Sequence, residues 1–71
     1  MRTIEQIKNK VKSLTLKLKK KSLYENFGEK EIRMLNDYVG DIYADYSYGD
    51  RLTIYKIINE FSDWCGTYPG R

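Results

Sequence analysis

Seventy-one residues are enough for one small hydrophobic core and too few for two domains, because a chain this short buries only about 60% of the surface its unfolded form exposes. One cysteine and no histidine exclude an intramolecular disulfide, the familiar zinc arrangements and any catalysis that needs an imidazole. The net charge of +3 is unevenly shared, with residues 1 to 22 carrying +7 and residues 23 to 71 carrying −4, so two electrostatic faces are expected.

Ile4, Ile7, Val11, Leu14 and Leu18 recur at the three-four spacing of one helix face, and Thr3 with Gln6 has the form of a capping box. The first helix is therefore expected from about residue 3 to about residue 21. Glu5 near its start and Lys17, Lys19, Lys20 and Lys21 near its end complement the helix dipole. Leu16 falls off the apolar stripe, which implies either a face broadened against two neighbours or an exposed leucine.

A second capping box, Asn26 with Glu29, predicts a shorter helix over 27–39, with Phe27, Ile32, Leu35 and either Tyr38 or Val39 facing inward and Gly40 as its left-handed stop. Leu52, Ile54, Ile57, Ile58, Phe61, Trp64 and Cys65 then keep helical spacing from an Asp50 cap to Gly66, so a third helix is expected over 51–65, with Pro69 beyond it. The alternation from Ile42 to Tyr48 also allows an α+β reading, with a hairpin at about 42–57 turning at Gly49-Asp50. The helical period over Ile54 to Cys65 outweighs it, and the fold expected is an all-α, three-helix single domain over residues 1–71.

Near the N-terminus there is no apolar run of the length that a signal peptide or a membrane-spanning helix requires, so a cytoplasmic protein with no membrane partner is expected. Cys65, beside Trp64 and with no histidine to activate it, reads as a small buried hydrophobe. Carboxylate pairs such as Glu29 and Glu31, or Asp41 and Asp45, lack the histidine and apolar pocket that would make them catalytic. The reading is a chain with no catalytic residue, no metal site and no cofactor, working by binding another macromolecule.

Two segments qualify as binding surfaces. Between the second and third helices, Asp37, Asp41, Asp45 and Asp50 interleave with tyrosines, and Tyr38, Asp41, Tyr43, Asp45, Tyr46 and Tyr48 form the candidate protein-binding set. Tyrosine offers large contact area at low entropy cost, and spaced carboxylates suit a basic partner site. The alternative is a nucleic-acid surface on the first helix, made by Lys8, Lys12, Lys17, Lys19, Lys20 and Lys21. That helix has no arginine fork and no stacking aromatic, and solvation of its outer face accounts for the lysines.

The stretches Leu23-Tyr24-Glu25-Asn26-Phe27-Gly28-Glu29-Lys30-Glu31-Ile32-Arg33-Met34-Leu35 and Phe61-Ser62-Asp63-Trp64-Cys65, the latter followed by Thr67-Tyr68, resemble a loosely defined set of small proteins from phages and mobile elements of Gram-positive bacteria. Members of that set often carry glutamine where Glu29 stands and a larger residue in place of Gly66. The resemblance implies a setting, in which short accessory proteins bind and inhibit host or defence proteins such as a CRISPR nuclease. It assigns no site residue. The apolar stripe of the first helix spans under three heptads and has two other helices to pack against, which favours a monomer over a homodimer.

Overall fold

The computed structural model describes residues 2–20 and 28–67, and these build an all-α domain with no strand among the described residues. Three long helices, α1 (Ile4–Leu18), α2 (Glu29–Val39) and α4 (Tyr48–Thr67), surround one core, and a single helical turn, α3 (Ile42–Asp45), joins α2 to α4.

The capping box at the start of α1 forms as its sequence requires. The Gln6 amide donates to Thr3 Oγ1 at 3.1 Å while the Thr3 amide donates to Gln6 Oε1 at 2.9 Å, so two orphan donors are satisfied reciprocally. α1 ends at Leu18, not at residue 21 as expected. The three positions after Leu18 are all lysine, so successive like charges replace any apolar residue there, and Lys19 and Lys20 turn back so that the Lys20 amide donates to the Lys17 carbonyl at 3.2 Å. Lys21 lies outside the described residues.

α2 begins at Glu29, two residues later than expected, with Gly28 and not Asn26 as its cap. Asn26 and Phe27 lie outside the described residues. Gly28 is held at φ +83°, and a Cβ added there would lie 2.6 Å from Cys65 Cβ and collide with Cys65 Sγ, so the start of α2 presses on the end of α4 at a point only glycine allows. At the far end Gly40, at φ +81°, stops α2 as expected, and Val39, not Tyr38, is the buried member of that pair.

The hairpin alternative at 42–57 is overturned by two local caps. Asp41 Oδ1 accepts from the Tyr43 and Ala44 amides at 3.0 and 3.1 Å and starts α3. Ser47 Oγ accepts from the Asp50 amide at 3.3 Å, which starts α4 three residues before the position expected and puts Asp50 inside its first turn. α4 also continues through Gly66, expected as its stop, to Thr67, because Gly66 does not adopt a left-handed conformation. Leu52, expected in the core, is 53% exposed, since the helix period fixed by Ile54, Phe61 and Cys65 carries it to the outer face.

The Arg2 amide donates to the Tyr46 hydroxyl at 3.1 Å, setting the start of α1 beside the start of α4, while Gly28 meets Cys65 at the opposite end. The bundle is thus up-down-up, with α1 and α4 parallel. Its centre is Ile7, Leu14 and Leu18 from α1, Leu35 and Val39 from α2, and Ile54, Phe61 and Cys65 from α4, closed at one end by Tyr46. Each fully buried aliphatic side chain contributes about 1.5–3 kcal/mol. Glu31 is the one charged group buried with them among the described residues, and Lys17 Nζ lies 3.9 Å from its Oε2.

Candidate protein-contact surface

The tyrosine-rich segment is not a loop. α3 and the first two turns of α4 divide its side chains between core and surface. Tyr48, Leu52 and Tyr55 follow one another at i, i+4 and i+7 along the outer side of α4, and α3 brings Tyr43 against them. Tyr43 is 69% exposed and Tyr48 70% exposed, so with Leu52 and the less exposed Tyr55 they make an apolar and aromatic face on the outside of the bundle.

This face is held in place by its own contacts. The Tyr55 hydroxyl donates to the Tyr43 hydroxyl at 2.6 Å, and the two rings meet edge to face with centroids 6.5 Å apart. That hydrogen bond, then partial desolvation and the neighbouring Tyr43, raise the Tyr55 pKa above its ordinary 10.0, against an opposing pull from the Arg51 charge. The Arg51 guanidinium carbon sits 5.6 Å from the Tyr43 ring centre and 5.8 Å from that of Tyr48, placing one cation between two aromatic faces.

Of the six residues expected to form the contact surface, the structure keeps Tyr43 and Tyr48 together. Tyr46 is corrected to a core residue: it is 8% exposed, and its hydroxyl donates to the Val39 carbonyl at 3.1 Å while accepting from Arg2. Tyr38 is half-buried under α1, with the Arg2 guanidinium carbon 4.3 Å and Lys10 Nζ 5.3 Å from its ring centre. Asp41 is the α3 cap, and Asp45 is exposed at the end of that turn. Sequence reasoning missed Arg51, Leu52 and Tyr55. The signal was available in the i, i+4, i+7 series from Tyr48, which only becomes visible once α4 starts at residue 48.

The α1 lysines do not share one stripe. At 100° per residue Lys8, Lys12 and Lys19 fall on one flank, whereas Lys10 and Lys17 fall on the other, where they meet Tyr38 and Glu31 of α2. Lys8, Lys12, Lys17, Lys19 and Lys20 are all exposed.

Among the described residues no group of three or more Cys, Asp or Glu side chains is placed to hold a metal ion, and no helix is long and apolar enough to cross a membrane. No protein-family model, curated protein or solved structure matches the chain. What the structure defines is a class: a small three-helix domain carrying a pre-ordered tyrosine, arginine and leucine face.

Proposed function

We propose that this is a non-catalytic binding protein that docks on another protein through Tyr43, Tyr48, Leu52 and Tyr55. In the phage or mobile-element setting that its resemblance implies, the partner is a host or defence protein whose activity it inhibits, and a CRISPR nuclease is one example. The observation that carries the reading is the exposure of four large apolar or aromatic side chains on one face of a domain that has few such residues to spare. Contact residues of this type dominate binding energies, and the Tyr43–Tyr55 hydrogen bond lowers the entropy lost when the face is covered.

Asp41 and Asp45, at the two ends of α3, are exposed on either side of Tyr43, which suits a partner with basic residues at its rim. The nucleic-acid alternative has less support, since two of the α1 lysines, Lys10 and Lys17, are directed to α2.

Photo-crosslinking in host cells tests the proposal. A benzophenone amino acid in place of Tyr48 should yield a discrete protein adduct, and the same group in place of Lys30, exposed at the opposite end of the bundle, should not. Adducts to nucleic acid, or adducts formed at position 30 alone, would overturn it.

A further inference from the structure

A second surface lies on the other flank of α4, away from the tyrosine face. The parallel helices α1 and α4 leave between them an open groove of about 430 Å³, floored by Val11, Ile57, Phe61 and Trp64. Trp64 stacks there on the buried Phe61, with ring centres 6.2 Å apart and planes 21° from parallel. Past Thr15 the groove runs on into a hollow of about 330 Å³ against Leu16, a leucine 62% exposed with no place in the core.

The lips of this groove are unequally charged. Lys8 and Lys12 line the α1 side and Lys19 follows on the same flank, while the α4 side has a single Glu60. From Lys8 to Leu16 the groove follows about 12 Å of α1, or two turns of a helix. Two parallel helix ridges with an apolar furrow between them form the seat that a further helix occupies in a four-helix bundle.

We infer that the α1–α4 groove takes an amphipathic helical segment of a partner protein, apolar at i, i+3 or i+4, and i+7, and acidic on the flank that meets Lys8 and Lys12. The apolar floor recognises the stripe, and the lysines set orientation and reject a basic segment. A second copy of this chain fits less well, because it would bring its own lysine-lined α1 lip to a groove that offers one carboxylate. The inference is independent of the tyrosine face, which lies on a different side of α4.

Trp64 is the only tryptophan in the chain and reports directly on the groove. Two synthetic amphipathic peptides with the same leucine stripe, one flanked by glutamates and the other by lysines, are titrated against the full chain. The glutamate peptide should shift Trp64 emission saturably to the blue and bind about tenfold more tightly than the lysine peptide. The Lys8→Glu/Lys12→Glu variant, changed only at exposed positions, should reverse that preference, and Tyr48→Ala should leave it unaltered. Absence of an emission change, equal binding of the two peptides, or an unreversed preference in the lysine variant would overturn the inference. So would sedimentation showing that the chain dimerises at the assay concentration through this face.

Discussion

The Tyr55 hydroxyl donates to the Tyr43 hydroxyl at 2.6 Å, and this bond ties the one-turn helix α3 to the second turn of α4. Because Tyr55 gives the proton, its ionisation removes the donor of this bond, and its pKa lies above the ordinary 10.0. The stability that this arrangement contributes is therefore fully present below about pH 10 and is lost as pH rises through the raised value. Spectrophotometric titration of the phenols should show a late-ionising tyrosine that Tyr55→Phe removes. If Tyr55→Phe leaves the last part of the titration unchanged, the two hydroxyls are not paired.

Tyr46 and Tyr48 lie two residues apart and should behave in opposite ways. Tyr46→Phe deletes a buried hydroxyl that serves the Val39 carbonyl and the Arg2 amide, and should cost about 1–3 kcal/mol. Tyr48→Phe should leave stability within about 0.5 kcal/mol of the parent. Denaturant melts of the two variants check this, and equal midpoints would contradict the assignment of Tyr46 to the core.

The three long helices were legible in the sequence because each buried stripe keeps its period: Ile7, Leu14 and Leu18 in α1, Leu35 and Val39 in α2, and Ile54, Phe61 and Cys65 in α4. The helix ends were less legible. Gly28 caps α2 because of how closely it approaches Cys65, a tertiary contact 37 positions away that no local signal announces. The candidate surface was half visible, since tyrosine density marked Tyr43 and Tyr48. Sorting Tyr46 inward and Leu52 outward depended on α4 beginning at Tyr48, where the Ser47 cap took precedence over the Asp50 cap, while Tyr38 is half-buried through its contacts with Arg2 and Lys10.

Gly28→Ala should cost about 2 kcal/mol or more, because alanine meets both an unfavourable left-handed backbone and the Cys65 side chain. Thermal unfolding should show a clear fall in Tm. The same substitution at Gly66, which has open space around it and no left-handed backbone, should raise or preserve Tm. A Gly28→Ala protein that melts like the parent would contradict the packing described at this end of the bundle.

Cys65 is 2% exposed, and burial, followed by the nearby Glu31 charge, pushes its thiol above the ordinary 9.0. A raised pKa in the folded state means that the thiol's contribution to stability is complete below about pH 9 and is lost as pH rises through the folded value. Alkylation at neutral pH should accordingly be slow in the native protein and fast in guanidinium. Fast modification of the folded protein would place Cys65 at the surface.

The central claim is that Tyr43, Tyr48 and Leu52 form the surface that meets a partner protein. It is tested most directly by affinity capture from a lysate of the proposed Gram-positive host with three forms of the chain: the parent, Tyr43→Ser/Tyr48→Ser/Leu52→Ser, and Lys12→Gln/Lys19→Gln/Lys20→Gln. All the substituted side chains are exposed, so both variants should keep their helical circular dichroism. The account predicts that the captured protein that also crosslinks at position 48 is lost with the first variant and retained with the second, because Lys12 lines the separate α1–α4 groove and not the tyrosine face. A folded first variant that captures the partner as well as the parent does, or loss confined to the lysine variant, would contradict it.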